Sequence, residues 1–271
     1  MPELPEVETT RRGIEPWLVG RRIEEVVVRD RRLRWPVARG LPARLRGATV
    51  RAVDRRAKYL LIETDTGTAI LHLGMSGSLK MMNATAPPLA HDHFDIVLDS
   101  GRCLRFNDPR RFGCLLFTTG DPLRHRLLAE LAAEPLSREF TGDRLWHRAR
   151  RRRASIKAFI MDSHAVVGVG NIYASEALFR AGIRPGLAAG RVSRERMSAL
   201  VTSIREVLTE AIGVGGTTLR DYVDPSGMPG YFRQKLYVYE RAGEPCRKCR
   251  SGIRRYRQGQ RSTYWCPSCQ R

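Results

Sequence analysis

The sequence TVRAVDRRAKYLLIETDTGTAILHLGMSGSLKMM, residues 49–82, determines which kind of fold the first half of the chain forms. It contains four short apolar runs, at 49–53, 59–63, 68–73 and 78–82. Turn signals such as Asp65-Thr66-Gly67 separate these runs. Apolar and β-branched runs of this length between such signals are typical of antiparallel strands joined by tight turns.

The segments on either side extend this pattern. Further strands are predicted at 23–28, 95–98, 102–106 and 114–119, and together the strands indicate an antiparallel β-sandwich. A flanking helix is predicted at 5–19. Beyond Gly120 the apolar spacing becomes helical and predicts helices at 124–133, 142–149, 154–163, 171–181 and 193–212. The predicted fold class is α+β.

The chain carries a large positive charge. Its 48 lysine and arginine residues against 28 acidic residues give a formal net charge of +20, with a pI of about 10.7. Such an excess favours a polyanionic partner, and nucleic acid is the first candidate. The sequence has no long apolar run and no signal peptide, so we expect an intracellular protein that does not bind membranes.

Four of the six cysteines form two C-x-x-C pairs near the C-terminus. Cys246 and Cys249 form the first pair, and Cys266 and Cys269 form the second, after sixteen intervening residues. This spacing is typical of zinc bound by four thiolates, with a redox function as the alternative. Because four cysteines complete a tetrahedral site, we predict one structural Zn²⁺ on which a small domain depends for folding.

Two other motifs could bind DNA. The basic segment 254–261 lies between the cysteine pairs, where a β-hairpin would place it at or near a tip that faces DNA. Alternatively, it is a surface hairpin whose charges keep the protein soluble. The motif Gly168-Val169-Gly170-Asn171 lies between two predicted helices. Asn171 could cap the second helix, and the neighbouring amides could also bind a phosphate.

The N-terminal residues Met1-Pro2-Glu3-Leu4-Pro5-Glu6 allow a catalytic and a structural interpretation. Removal of Met1 is expected before a small residue and would leave Pro2 as a terminal secondary amine. Part of such an amine is unprotonated at neutral pH, so it can attack a sugar carbon while Glu3 moves the protons. In the structural interpretation, the prolines and glutamates only begin a helix.

The scarcity of lysine singles out a few titratable amines. Arginine cannot readily give up its proton, so a lysine in this arginine-rich chain hints at a chemical function. The five lysines are Lys58, Lys80, Lys157, Lys235 and Lys248.

Two turns carry further candidates. The turn 107–113, NDPRRFG, contains Arg110, Arg111 and Phe112, which could fill the gap left by an extruded base or could form a plain surface turn. Met75 follows a predicted strand and is either a second wedge or a core residue. His91 favours a phosphate contact over a metal site, because no further ligands adjoin it.

Together these motifs resemble formamidopyrimidine-DNA glycosylases. The resemblance extends along the whole chain and rests on PELPEVET at 2–9, RRAKYL at 55–60, HLGMSG at 72–77, NDPRRFG at 107–113, VVGVGNIYAS at 166–175 and the cysteine ribbon. It implies an enzyme that excises 8-oxoguanine and formamidopyrimidines and then cleaves the strand by β- and δ-elimination. It also implies a catalytic β-sandwich at 1–134, a helix–two-turns–helix domain at 135–240 and a zinc finger at 241–271.

The resemblance further implies residue roles. Pro2 resembles the Schiff-base nucleophile, Glu3 the proton donor and Lys58 a residue that acts in β-elimination. Arg261 is implied in δ-elimination, where an always-charged guanidinium suits stabilisation of the leaving phosphate. The residues implied in DNA binding are His91, Arg110, Arg152, Arg153, Lys157 and Asn171. Those implied to fill the void are Met75, Arg111 and Phe112, and the loop 213–231 is implied to close over the flipped base.

The implied partner is double-stranded DNA with oxidised purines or abasic sites. We expect a monomer of bacterial type in the cytoplasm, associated with the nucleoid. One alternative is an endonuclease VIII-type glycosylase for oxidised pyrimidines, but Leu4, the context of Lys58 and HLGMSG favour the purine branch. The other is a non-catalytic zinc-ribbon DNA-binding protein, against which the Pro2–Glu3 pair argues.

Overall fold

The computed structural model describes residues 2–216 and 232–271. Met1 and most of the predicted loop 213–231 therefore lie outside the described residues. The chain divides into two compact units, one formed by Met1–Glu130 and Val214–Tyr231 and the other by Leu131–Gly213 and Phe232–Arg271. The domain boundaries at 134 and 240 stay predictions.

The first unit contains two four-stranded antiparallel sheets. The strand order of one sheet is β1 (Ile23–Val28), β6 (Asp92–Leu98), β7 (Arg102–Asn107) and β5 (Ser78–Asn83). That of the other is β2 (Val50–Arg56), β3 (Tyr59–Thr64), β4 (Gly67–His72) and β8 (Cys114–Thr118). Apolar side chains from both sheets form one buried core. The predicted β-sandwich is confirmed.

Two helices flank these sheets. Helix α1 (Leu4–Leu18) buries Val7, Ile14 and Leu18 in the core of the sandwich, because these residues recur at helical spacing on one side. The short helix α2 (Leu41–Leu45) was not predicted, and it buries both of its terminal leucines. A five-residue helix is too short to show a clear periodicity.

The second unit contains four α-helices and a hairpin among its described residues. The helices are α3 (Gly142–Ala149), α4 (Ile156–Ile160), α5 (Asn171–Arg180) and α6 (Arg194–Gly213). Successive turns at 161–170 connect α4 to α5 in a helix–two-turns–helix arrangement. The hairpin consists of β9 (Arg254–Gln258) and β10 (Arg261–Trp265). The predicted α+β class is confirmed.

The helix predicted at 124–133 is wrong. A single 3₁₀ turn, Pro122–Arg124, is followed by turns and irregular chain. The N–H group of Ala132 donates to the carbonyl of Ser163 at 2.9 Å, so it is not used in a helical ladder. Leu128 and Ala132 are nevertheless buried. Their spacing reflects packing in an irregular segment and not helix formation.

The helices also bear on the membrane question. No helix within residues 2–216 and 232–271 combines the length and apolar character needed to cross a bilayer.

Candidate functional site

The start of α1 holds the two residues predicted to be catalytic. Pro2 and Glu3 are both buried. The backbone N–H of Glu3 donates to the carboxylate of Glu6 at 2.9 Å, and the carboxylate of Glu3 accepts the backbone N–H of Glu6. This reciprocal capping box fixes the chain direction at the helix N-terminus. It therefore holds the Glu3 carboxylate in a defined orientation beside Pro2.

Lys58 lies in the two-residue turn between β2 and β3. Its neighbour Ala57 adopts a positive φ of 56°. The guanidinium of Arg55 donates to the carbonyl of Ala57 at 2.8 Å and to the carboxylate of Glu8 at 3.0 Å. Because Glu8 belongs to α1, these bonds connect the turn that carries Lys58 to the helix that begins after Glu3.

Glu8 is a structural residue that sequence reasoning missed. Burial raises the pKa of Glu8, but hydrogen bonds from Arg11, Arg12 and Arg55 outweigh burial and leave this pKa below its ordinary value. Glu8 is therefore ionised at neutral pH, where it binds all three guanidinium groups. Its place in the motif PELPEVET was the available signal.

The ammonium group of Lys58 also affects His72, which ends β4. The rings of Tyr59 and His72 are in contact, with centroids 4.7 Å apart. Burial, together with the charges of Lys58 and Arg34, lowers the pKa of His72 to about 4. The neutral imidazole accepts the N–H of Gly74 through Nδ1 at 2.9 Å. His72 thus fixes the start of the loop that carries Met75, close to Lys58.

The structure brings together the two segments predicted to fill the void. Gly74 has a φ of +67°, and a Cβ built on it would lie 2.5 Å from the backbone nitrogen of Gly113. The loop of the half-buried Met75 therefore packs backbone to backbone against the turn of Arg111 and Phe112. Phe112 is 43% exposed, so its ring is accessible at the surface of this turn.

Asp108 organises this turn and was not predicted. Its carboxylate is fully buried and accepts the hydroxyl of Ser76 at 2.7 Å and the N–H of Gly113 at 2.8 Å. Its carbonyl lies 2.7 Å from Nε2 of the buried His93. An aspartate that accepts hydrogen bonds from nearby backbone groups is typical of tight turns. Asp108 therefore connects the loop of Met75 to the turn of Phe112.

Arg110 and His91, predicted to contact DNA, and Arg111, predicted to fill the void, lie on neighbouring turns. Arg110 is exposed, and its guanidinium lies 4.9 Å from the centroid of the Phe112 ring. Arg111 pairs with Asp30 at 3.0 Å and has a φ of 58°. The exposed His91 precedes β6, and its carbonyl accepts the N–H of Asp108 at 3.1 Å. Their contacts with DNA stay predictions.

Replacement of Phe112 by alanine tests the void-filling role. Flipping a damaged nucleotide costs a few kcal/mol of unstacking, part of which an inserted ring recovers. We expect Phe112→Ala to slow excision from duplex DNA by about tenfold, since aromatic stacking contributes about 1–3 kcal/mol. Cleavage at a preformed abasic site should change little. Single-turnover rates on both substrates provide the measurement, and equal slowing on both would contradict the wedge role.

In the second unit, two side chains hold the finger hairpin. Lys157 is 2% exposed, and its ammonium donates to the carbonyl of Ser262 at 3.1 Å and to the hydroxyl of Thr263 at 2.8 Å. Through these bonds Lys157 holds the strand that begins with Arg261. The predicted contact of Lys157 with DNA stays a prediction.

Asn171 donates to the same carbonyl of Ser262, through Nδ2 at 3.1 Å. It is the first residue of α5, and Gly170 occupies the capping position. The prediction that Asn171 caps this helix is therefore wrong, because no side chain caps the start of α5, and the amide nitrogen of Asn171 donates to the hairpin. The proposed phosphate contact of Asn171 stays a prediction.

Arg261 lies beside the turn of the finger hairpin. It pairs in register with Gln258 across the turn Gly259-Gln260, and Gly259 takes the positive φ of 57° that this turn requires. Arg261 is exposed and borders a cavity of about 290 Å³ that Lys157 also lines. The adjacent Ser262 is the residue held by Lys157 and Asn171, so Arg261 projects from a fixed backbone.

Arg152 and Arg153 lie after α3, in the same unit. Both side chains are exposed. The N–H of Gly190 donates to the carbonyl of Arg152 at 3.1 Å, which fixes the backbone of this segment. Two exposed guanidinium groups on a fixed backbone suit a phosphate contact, which stays a prediction.

The four cysteines of the finger converge. Their sulfur atoms all lie within 4.8 Å of one another, with 3.3 Å between Cys249 and Cys266 and 3.9 Å between Cys246 and Cys269. A tetrahedral zinc ion with Zn–S bonds of about 2.3 Å requires sulfur atoms about 3.8 Å apart. The cluster thus fits one structural Zn²⁺, with no ligand position left for water.

Replacement of Cys249 by serine tests the structural role of zinc. The hydroxyl is a much weaker ligand than a thiolate, so we expect the variant to release the metal and weaken DNA binding by about tenfold or more. The N-terminal sandwich should remain folded, because the core of the finger is a separate cluster. Zinc content, DNA anisotropy and thermal unfolding are the measurements. Full DNA affinity without metal would count against this role.

Comparison with known proteins covers nearly the whole chain. The N-terminal domain of formamidopyrimidine-DNA glycosylase matches residues 1–115, its H2TH domain matches 131–223, and a zinc finger found in FPG and IleRS matches 243–271. The formamidopyrimidine-DNA glycosylases of Thioalkalivibrio sulfidiphilus and Alkalilimnicola ehrlichii are 60% and 59% identical to the chain, over 100% of both sequences in each case.

Solved structures agree with these matches. The crystal structure of the MutM (Fpg) protein of Thermus thermophilus is 40% identical with a TM-score of 0.89, covering 99% of this chain and 98% of that chain. The Lactococcus lactis Fpg in complex with DNA that contains an abasic site is 31% identical with a TM-score of 0.92, covering 99% of both chains. The chain therefore belongs to the formamidopyrimidine-DNA glycosylase family of base excision repair enzymes, which confirms the resemblance seen in its motifs.

Proposed function

We propose that this chain excises oxidised purines from double-stranded DNA and cleaves the resulting abasic strand, with Pro2 as the nucleophile. One observation carries the assignment of residues. Glu3 is fixed at the start of α1 beside Pro2, and the turn of Lys58 is bonded to the same helix through Arg55 and Glu8. A nucleophile, a proton carrier and a second amine thus belong to one connected part of the first unit.

The chemistry begins at the amine of Pro2, once Met1 has been removed. The nitrogen lone pair attacks C1′ of the damaged nucleotide, and the bond from C1′ to the base breaks as the base takes its electron pair. The amine gives up its N–H proton, and the departing base gains a proton. Glu3 carries protons in this step and protonates the sugar oxygen O4′ as the ring opens. A secondary amine then forms a charged iminium without losing a further proton, and this Schiff base is the electron sink for elimination.

The two eliminations use cationic groups. Loss of a proton from C2′ releases the 3′ phosphate, and Lys58 acts in this step. Loss of a second proton, from C4′, then releases the 5′ phosphate. Arg261 stabilises the negative charge of that phosphate, since a guanidinium donates two parallel hydrogen bonds to phosphate oxygens. Its backbone is supported through Ser262 by Lys157 and Asn171.

Several polar and basic side chains are candidates for DNA contacts. We propose that His91, Arg110, Arg152, Arg153 and Asn171 contact the phosphate backbone, and that Met75, Arg111 and Phe112 occupy the gap in the duplex. The Lactococcus lactis relatives were solved with DNA that contained an abasic site or Fapy-dG, which supports the same class of partner. We also propose that the protein acts as a monomer at the nucleoid, in the cytoplasm.

Borohydride trapping tests this function. Borohydride reduces the iminium, so a duplex with 8-oxoguanine should yield a covalent protein–DNA adduct. A duplex with an oxidised pyrimidine is the matched control and should react at least about tenfold more slowly, because contacts in the pocket differ between the two bases. A faster reaction with the pyrimidine would favour the endonuclease VIII-type alternative. Binding without any adduct would favour a non-catalytic DNA-binding protein.

A further inference from the structure

The second unit contains another cavity, which has no role in the proposed function. It has a volume of about 650 Å³ and lies between the base of the finger hairpin and the segment 184–191. Its charged and aromatic lining consists of Arg184, Arg191, Arg254, Arg255, Tyr256 and Trp265. Cavities of this size accommodate small ligands, and a single nucleotide is well within their range.

This cavity lies at the opposite end of the hairpin from Arg261. Arg254 pairs in register with Trp265, whereas Arg261 pairs with Gln258 beside the turn. The separation of four residues along β10 corresponds to about 13 Å. The smaller cavity beside Arg261 has a different lining. The two features are therefore separate.

The arginines of the larger cavity are available to an anion. All four are exposed, and within the described part of the chain none of them forms an ion pair with a carboxylate. The guanidinium of Arg184 lies 5.2 Å from the centroid of the Trp265 ring. A guanidinium stacked on an aromatic ring keeps its N–H edges free to bind phosphate oxygens in a fork.

The aromatic surface adds a preference for bases. Trp265 and Tyr256 are both half-buried in the cavity wall. Their rings can stack with an unpaired nucleobase, whereas the bases of a duplex are already stacked on one another. A concave site with arginines around two aromatic rings therefore matches an unpaired nucleotide better than the phosphate backbone of a duplex.

We propose that this cavity is a second nucleic-acid site, which binds an unpaired nucleotide of single-stranded DNA. The arginines bind the phosphate and the two aromatic side chains stack with the base. The cavity is separate from the one beside Arg261, so we expect that an unpaired nucleotide and a duplex can be bound at the same time.

The test uses the full-length protein saturated with a duplex that contains a tetrahydrofuran abasic analogue. A fluorescent oligothymidylate of about eight nucleotides, within the site size of single-strand binders, is then titrated and followed by anisotropy. We expect it to bind the saturated complex without displacing the duplex. Binding should weaken by about tenfold or more in the double variant Arg254→Ala/Arg255→Ala and in Trp265→Leu, and should survive in Trp265→Phe, which keeps a stacking ring.

Arg257→Ala is the matched control. Arg257 is an exposed arginine of the same strand and does not line the cavity. Its loss should change binding by less than about twofold, since an isolated surface charge contributes little. Three results would overturn the proposal: displacement of the duplex by the oligothymidylate, an equal effect of Arg257→Ala, or equally tight binding of a polyphosphate of the same charge. Zinc content measured on each variant shows that the finger is intact.

Discussion

An extension left on the amino group of Pro2 is expected to abolish both base excision and the adduct trapped by borohydride. In an extended chain the nitrogen of Pro2 is part of an amide, whose lone pair is delocalised into the carbonyl group. It can neither attack C1′ nor form an iminium. Removal of a covalent nucleophile costs several orders of magnitude in rate, so we expect excision to fall by at least about a thousandfold.

The comparison requires two forms from one preparation. A cleavable N-terminal tag, removed from half of the protein so that Pro2 becomes the terminus, changes only the state of the amine. Single-turnover excision and trapping are then measured on both halves, with the same tag placed after Arg271 as the control. Affinity for a duplex with an abasic analogue should change little. Undiminished trapping by the uncleaved form would contradict the assignment of Pro2.

Replacement of Glu3 by glutamine is expected to reduce excision by about a hundredfold to ten-thousandfold, the usual contribution of a positioned acid or base. Glutamine has the same shape and its carbonyl oxygen can still accept the N–H of Glu6, so α1 should stay capped. Loss of the negative charge at the N-terminus of α1 should lower the free energy of unfolding by only about 0.3–1 kcal/mol. DNA binding should therefore persist while base release fails.

Glu6→Gln is the matched control for Glu3→Gln. Glu6 is the other member of the capping box, so both variants perturb the helix start in a similar way. Excision rates, DNA affinity and thermal stability should be measured for both variants. The proton-transfer role of Glu3 requires a much larger loss of rate than in Glu6→Gln. An equal loss in both variants, or a loss of affinity as large as the loss of rate, would show that capping explains the effect.

Several features could be predicted because their signals are local in sequence. Alternating short apolar runs and turns predicted the strands of the sandwich, since a strand and the turn after it involve only a few consecutive residues. The spacing of Cys246, Cys249, Cys266 and Cys269 predicted the metal-binding cluster, because a C-x-x-C pair places two sulfur atoms side by side. The N-terminal motif singled out Pro2 and Glu3, because these two residues are adjacent in sequence.

The features that the sequence did not reveal concern residues whose partners are distant in sequence. The ammonium of Lys157 donates to the carbonyl of Ser262, 105 residues away, which no local pattern indicated. Asn171 could be read as a helix cap, but its amide reaches the same carbonyl. The spacing of the segment 124–133 indicated a helix, but Ala132 bonds to Ser163 instead.

The sequence by itself thus determined the fold class, the metal-binding cysteines and the candidate nucleophile. Only the tertiary structure decided that Asp108 joins the loop of Met75 to the turn of Phe112, that Glu8 connects α1 to the turn of Lys58, and that Lys157 and Asn171 hold the strand of Arg261. The physical reason is that local propensity and spacing act over a few residues. The partner of a buried polar group, by contrast, is set by which distant segments the folded core brings within hydrogen-bonding distance.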